Sequence, residues 1–393
     1  RDLYFPDDDG QATARAIAQV FTPPARSTPT AVAARPRILI FGGAWKNNGI
    51  TSSIINLLDV LGRYDVDIYV ATNGVVIDLT EEYANNIRRV HPNIHIIHRT
   101  GSMNMTPEER LVLDDFYHEN VFRDDAQEAQ IKDFFRREAR RMFGDLTFDA
   151  AIDFSGYSRF WAMLIAATPA KRHVIYQHND MLSEAVVRFG ILHGVFAAYK
   201  YFDAVASVSP ATCALNSANL AQYYKTPASA VSVRNMIDPA GIVALSQADL
   251  PDDLAFPKGP IRFVSVGRLS GEKAQDRMII ALAALRAEGH NTELILIGDG
   301  PIRDDLVATA RAHKVSDQVI FTGHRPNPFA IMAHSDCFVL SSDYEGQPMV
   351  LLEALCLGMP IIATDIAGVR SVLDQETGQL VETSVAGITS GMR

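Results

Sequence analysis

The stretch Tyr344-Glu345-Gly346-Gln347-Pro348-Met349-Val350-Leu351-Leu352-Glu353 sets two carboxylates on either side of a turn and the first turns of an apolar helix. Gly346 and Pro348 suit a tight turn that leads into the first helical position. A helix that begins this way offers backbone N–H groups without intrahelical partners at the positive end of its dipole, and such a start binds anions. An apolar strand is expected just before it, over Asp336 to Leu340. A phosphate at the helix start would lie between Glu345, in the loop, and Glu353, on the helix. Two glutamates alone would read as an exposed acid and a helix-face acid; the strand, turn, proline and helix around them favour a site.

A second pair of charges has a comparable setting. The apolar run Ile261 to Val266 leads into Gly267-Arg268-Leu269-Ser270-Gly271-Glu272-Lys273, so Arg268 and Lys273 leave the carboxyl end of a buried strand on a glycine-containing loop. A guanidinium and an ammonium there can hold a diphosphate and neutralise it as it departs, stabilising charge without proton transfer. Two surface cations ahead of a helix would look the same. Tyr176-Gln177-His178-Asn179-Asp180 passes from apolar strand to polar loop, which puts His178 at a strand tip, where open α/β sheets bind ligands.

The elements that must position these groups follow from periodicity. Ile38 to Phe41, Val66 to Ala71, Ile94 to His98, Ala150 to Phe154, His173 to Tyr176, Ala204 to Val208 and Ala230 to Val233 read as short buried strands, most alternating with amphipathic helices. A second set follows at Ile261 to Val266, Glu293 to Ile297, Gln318 to Phe321, Cys337 to Leu340 and Pro360 to Ala363. Apolar strands alternating with helices specify parallel sheets covered on both faces, hence two doubly wound α/β domains with ligands at the carboxyl ends of their strands. The expected division is an acidic, Pro- and Ala-rich tether over residues 1–35, a first domain over 36–236, a linker over 237–259 and a second domain over 260–393. The charged, helical segment Pro107 to Gly144 reads as an insertion with a solvated face, an acceptor-binding role being the lesser reading.

At 393 residues the chain is long enough for two cores. Its net charge of -10 argues against nucleic acid or anionic lipid as the main partner. No apolar run approaches the roughly 20 residues of a membrane span, and Cys213, Cys337 and Cys356 show no metal or CxxC spacing. A reduced, cytoplasmic setting is expected, with peripheral contact at the inner face of a membrane left open. The first residue is Arg1, without a signal-like start, which reads as a trimmed or excised chain.

Gly267-Arg268 to Lys273, Gly298-Asp299-Gly300-Pro301, Phe321-Thr322-Gly323, and Glu345-Gly346 to Glu353 with Gly358, Pro360, Thr364 and Gly368 together resemble the donor-binding half of glycosyltransferase family 4, retaining enzymes of the GT-B fold. The resemblance runs from Val264 to Val381 in the expected order. It is weaker but consistent in the first half, at Gly42-Gly43 to Asn48-Gly49-Ile50, His178, Ser207-Val208-Ser209 and Val233-Arg234-Asn235. It implies two facing Rossmann-like domains with an interdomain cleft. Arg268 and Lys273 would bind the diphosphate, Glu353 the ribose, and Glu345 the transferred sugar, aided by backbone groups of Gln347, Met349, Val350 and Leu351. Gly49 would let its backbone approach the phosphate, Gly298 would line the donor site, and the loop with His324 and Arg325 would lie by the base. His178 matches the position that contacts the sugar near the reacting carbon.

The implied activity is metal-independent, retaining transfer of a hexose from a nucleotide diphosphate sugar, a UDP-linked one being expected, with no other cofactor. The acceptor would be a hydroxyl of a cell-envelope glycan or a teichoic-acid-like, polyol-phosphate polymer, with Trp45, Lys46 and Tyr157 as candidate contacts. A catalytically silent glycan-binding module of a larger synthase, a phosphorylase and an epimerase remain alternatives. Relatives of this family usually continue into helices that cross back onto the first domain, so the ending Val385 to Arg393 reads as the first turns of such a helix or as the end of one module. Gln347 stands where many relatives carry an apolar residue, which leaves the sugar open. A dinucleotide cofactor is disfavoured because Val70-Ala71-Thr72-Asn73 ends the second strand without an acid for a ribose. The Asp65-Val66-Asp67 triplet lies at the amino end of a strand, away from a cleft.

Overall fold

Short runs rich in Ile, Val, Leu and Ala, each closed by polar or glycine turns, form two parallel sheets. The computed structural model describes residues 35–74 and 81–393, so the tether expected over residues 1–35 lies, but for Arg35, outside the described residues. The first sheet contains β1 (Arg37–Phe41), β2 (Asp67–Asn73), β3 (His95–Arg99), β4 (Ala150–Asp153), β5 (His173–Gln177), β6 (Ala204–Ser207) and β7 (Ala230–Ser232). The second contains β8 (Ile261–Val266), β9 (Thr292–Ile297), β10 (Val319–Gly323), β11 (Cys337–Leu340), β12 (Ile361–Thr364) and β13 (Gln379–Val381). Their orders are β3-β2-β1-β4-β5-β6-β7 and β10-β9-β8-β11-β12-β13, and all pairings are parallel.

Each order reverses direction once, between β1 and β4 and between β8 and β11. Loops leaving neighbouring strands at such a point part toward opposite faces and open a crevice at the carboxyl edge. The loops that carry Gly49 and His178, and those that carry Lys273 and Glu345, arise at or next to these two points. Helices cover both faces of each sheet and bury its apolar strands: Leu39, Phe41 and Ala151 on one side of the first and Ile40, Val70 and Phe154 on the other, all at most 4% exposed.

The charged segment forms two helices, Pro107–Glu119 and Asp125–Phe143, the first opened by a Thr106–Glu109 capping box. Its apolar stripe, including Leu113, Phe116, Ile131, Phe134 and Phe135, enters the first core. Exposed pairs such as Arg110–Asp114 and Arg136–Asp133 form the expected solvated face. Glu138 departs from it: it is buried and satisfied by Arg99 at 2.8 Å and Arg141 at 2.7 Å.

The segment expected as a linker is more ordered than its prolines suggest. Asp238 caps the helix Pro239–Ser246 by accepting from Gly241 N, and that helix packs against Phe329–Ala333 and Met349–Cys356. Leu250, Leu254 and Phe256 then join the second core. The final helix, Val385–Met392, lies on helix Gln275–Ala287 and β12, with Ile388 and Met392 in the same core as Met278 and Leu282. It covers its own sheet. Among the described residues no helix is long and apolar enough to cross a membrane.

Candidate functional site

The loop after β11 is held by hydroxyls. Ser341 and Ser342 are buried where the apolar strand ends. Ser341 Oγ lies within hydrogen-bond reach of the Lys273 and Ala274 carbonyls, at 2.7 and 2.8 Å, which pins the loop after β8; Ala274 there is left-handed, with φ +46°. Thr364, at the end of β12, donates to the Ser342 carbonyl at 2.6 Å. The pinned backbone delivers Lys273 Nζ onto Glu345 Oε1, and Ser342 Oγ donates to the same oxygen at 2.7 Å. Glu345 is 12% exposed and Lys273 24%, so this charge-assisted contact is largely withdrawn from water. Arg277 adds a second ion pair, 2.7 Å from Asp343, and donates to the Ser341 carbonyl. Arg268, on the same loop as Lys273, is exposed and makes no ion pair among the described residues.

Glycines set how closely the parts approach. A Cβ on Gly368 would stand 2.1 Å from the Glu345 carbonyl oxygen, and one on Gly346 would stand 1.8 Å from that of His178. Gly346 therefore brings the second sheet's loop against the backbone of the first sheet's. Helix Met349–Cys356 starts at Pro348 with no side-chain cap; Leu351 N turns back to the Pro348 carbonyl at 3.1 Å, which leaves the N–H groups before it in the first turn without an intrahelical partner. The Met349 and Leu351 side chains are buried and Val350 half-buried, so backbone is what this turn offers a ligand. Helix Gly49–Leu61, capped by Asn48, meets it: a Cβ on Gly49 would find only Met349 Cγ, at 3.7 Å.

His178 faces the same junction from the end of β5. Its Nε2 is 2.5 Å from the Phe154 carbonyl oxygen, and its ring meets Phe154 edge-on with centroids 5.1 Å apart. Only an N–H can donate to a carbonyl, so the neutral ring carries its proton on Nε2 and keeps Nδ1 as an acceptor. Burial pushes its pKa down to about 4 despite the opposing carbonyl, so it is neutral near pH 7. Glu353 is half-buried, and desolvation pushes it up to about 7, with Arg89 opposing.

Polar contacts tie the two walls together. Asn235 N donates to Gln347 Oε1 at 2.9 Å, Thr212 Oγ1 to the Gly346 carbonyl at 3.3 Å, and Arg188 lies 3.3 Å from Glu272 and 3.6 Å from Glu184.

Of the residues singled out in the sequence, Lys273, Glu345, Gln347, Met349, Gly49 and His178 come together. Others are held elsewhere or stand exposed. Trp45 is 1% exposed, with its ring in the core under helix Gly49–Leu61, so it cannot meet an acceptor. Tyr157 is half-buried, packed edge-on against Phe189, and burial pushes its hydroxyl pKa up; Lys46 is exposed. Arg325 is committed to Asp253 through both terminal nitrogens, while His324 is exposed. Gly298 has a packing role: with φ +142°, a Cβ would lie 1.9 Å from the Gly267 carbonyl oxygen. The Gln347 side-chain oxygen accepts from Asn235 N, which ties it to the opposite wall. Ser341, Ser342 and Arg277 escaped sequence reasoning, and Thr364 and Asn235 were named only within the resemblance, without a role. Small hydroxyl residues directly after apolar strands were the available signal.

Comparisons with known proteins agree with the fold. Residues 246–388 match the family described as Glycosyl transferases group 1. An uncharacterized glycosyltransferase of Methanocaldococcus jannaschii is 30% identical over 185 residues, 46% of each chain. A Bacillus subtilis protein named for teichuronic acid biosynthesis, TuaC, is 35% identical over 133 residues, 34% of this chain and 32% of its own. The chain thus spans less than half the length of these curated relatives. TarM of S. aureus, solved with fondaparinux, alpha-GlcNAc-glycerol and UDP, superposes with TM-score 0.62 at 11% identity, covering 91% of this chain and 92% of that one. The two sheets and their cleft are the GT-B fold, and the glycosyl transferases group 1 region coincides with the wall that carries Lys273 and Glu345.

Proposed function

We propose that the protein is a retaining, metal-independent glycosyltransferase that moves a hexose from a nucleotide diphosphate sugar, UDP-linked, to a hydroxyl of a cell-envelope glycan or teichoic-acid-like polymer. The observation that carries this reading is the Lys273–Glu345 pair beside an uncapped helix start, closed against the His178 backbone through Gly346. The N–H groups at the start of Met349–Cys356, with Arg268 and Lys273, receive the diphosphate and the charge that grows on it as the sugar–phosphate bond breaks. Glu345, oriented by Lys273 and Ser342, accepts from sugar hydroxyls, and Glu353 takes the ribose. Neutral His178 accepts a further sugar hydroxyl at Nδ1. The acceptor oxygen bonds the anomeric carbon on the face the phosphate leaves, and its proton passes to the departing phosphate oxygen, so no enzyme base is required.

The teichuronic acid name of one relative, and the UDP and alpha-GlcNAc-glycerol of the TarM structure, support the choice of donor and acceptor class. A thermal-shift panel of UDP, GDP, ADP and CDP with their sugars tests it: UDP compounds are expected to raise Tm most. Sugar transfer should be abolished by Glu345→Ala and by Arg268→Ala. Stabilisation by no nucleotide, or glycan binding that survives both changes without any transfer, overturns the reading.

A further inference from the structure

Asp153, the last residue of β4, is 0% exposed and takes no part in the donor contacts above. Its Oδ1 accepts from Gly156 N at 2.9 Å, while its buried Oδ2 has no hydrogen-bond partner. A carboxyl group taken out of water without a cation is costly and calls for a compensating role. The turn that it closes is fixed on every side. Phe154 N donates to the Phe41 carbonyl at 2.9 Å, continuing the β1–β4 ladder. Gly156 is left-handed, φ +67°, and a Cβ there would stand 2.0 Å from the Tyr176 carbonyl oxygen. Ser155 fits against Gly43, whose own Cβ would approach it to 3.2 Å. What this turn presents is one acceptor, the Phe154 carbonyl that takes the His178 Nε2 proton.

We propose that Asp153 is a positioning residue for the transfer reaction: by tying the Phe154–Gly156 turn it holds the Phe154 carbonyl on His178 Nε2 and keeps His178 a neutral, single-tautomer acceptor through Nδ1. The inference rests on the donor-site reading for its catalytic consequence, but the link from Asp153 to the imidazole stands on geometry alone. Burial pushes Asp153 up to about 7, so the side chain is a protonated acid over most of the range below that pH, and an amide is its nearest isostere.

The experiment uses the whole chain with 15N-labelled histidine rings, the His178 signals being assigned by loss in His178→Gln. Long-range 1H–15N correlation should show a pure Nε2–H tautomer at pH 7 in the parent protein and in Asp153→Asn. Asp153→Ala should give mixed tautomers, and its kcat for sugar transfer should fall by about tenfold or more with the donor KM within about twofold. Asp153→Asn should recover most of that rate. If Asp153→Ala does not fold, Asp153→Val, which fills more of the space but offers Gly156 N no acceptor, is read in its place. An unchanged His178 tautomer in Ala or Val, or a donor KM that worsens in step with kcat, overturns the proposal. If the parent protein binds no nucleotide, the donor-site reading fails, and the tautomer measurement still decides the Asp153–His178 link.

Discussion

The loops after β8 and β11 gather charge on one wall of the cleft: Lys273 with Glu345 and Arg277 with Asp343 pair there, beside the exposed Arg268 and an uncapped helix start. The end of β4 and the loop after β5 on the opposite wall carry Asp153 and His178, whose pKa values burial moves in opposite directions toward the uncharged forms. Both walls have the same doubly wound topology and the same reversal of strand order, so the fold does not account for the difference. Local desolvation and pairing do. The first wall sets cations beside carboxylates that an anionic ligand could share, which suits the diphosphate of the proposed function. The second offers neutral acceptors and close backbone, which suits the proposed contacts to sugar hydroxyls by directing hydrogen bonds without attracting a competing ion.

Removing charge from the charged wall should do the most harm. Lys273→Ala strips Glu345 of its cation and the diphosphate of a ligand, and transfer measured with labelled donor should fall by about 10²–10³-fold. Glu345 would keep only the Ser342 bond. A near-normal rate would mean that the pair is structural and the contrast between the walls misdrawn.

Next comes the seam. Gly346→Ala puts a methyl 1.8 Å from the His178 carbonyl oxygen, so the walls must part. A loss of about 10²-fold in kcat is expected from misplacement on this scale, with a smaller change in nucleotide affinity measured by calorimetry, because the diphosphate contacts of the proposed function, Arg268, Lys273 and the helix start, lie within one wall. Equal losses in both would show that the neutral wall also holds the nucleotide.

The smallest effect is on stability against pH. Asp153 sits at about 7 in the folded protein against an ordinary 3.8, so its contribution is complete below the unfolded value and is lost as pH rises through 7. His178 sits at about 4 against an ordinary 6.5, so its contribution is complete above 6.5 and is lost as pH falls toward 4. The two windows overlap between about pH 4 and 7 with opposite signs, so the parent's melting temperature should show a partial cancellation there and a plateau above. Asp153→Asn should remove part of the fall as pH rises through that window, with Glu353 sustaining the remainder, and His178→Gln should remove the opposing rise. Parallel curves for parent and variants would remove the claim that the second wall is held neutral.

Much of the frame was legible because periodicity is local. The run Ile261 to Val266 is the whole of β8, and the chemistry-bearing loops at Gly267–Lys273 and Tyr344–Pro348 follow apolar strands as expected. The linker was read too loosely, because its prolines hide a helix that only its neighbours stabilise. Trp45 was read as an acceptor contact from its place at a strand tip, yet a large apolar ring beside the core is driven inward by the area that it buries. Arg325 was read as a base contact, and Asp253, 72 positions away, already holds it.

Sequence alone determined which residue types stand at which strand ends: the alternation of short apolar runs and helices requires parallel sheets, and glycine, proline and charge mark where their loops turn. Tertiary structure decided the partnerships. Lys273 meets Glu345 across 72 residues, Gly346 meets the backbone of His178 from the other sheet, and Asp153 becomes a buried support for an imidazole 25 positions on. Such contacts depend on distances between elements and on water excluded from between them, quantities set only when both sheets are packed, and these decide which ionisable groups keep their charge.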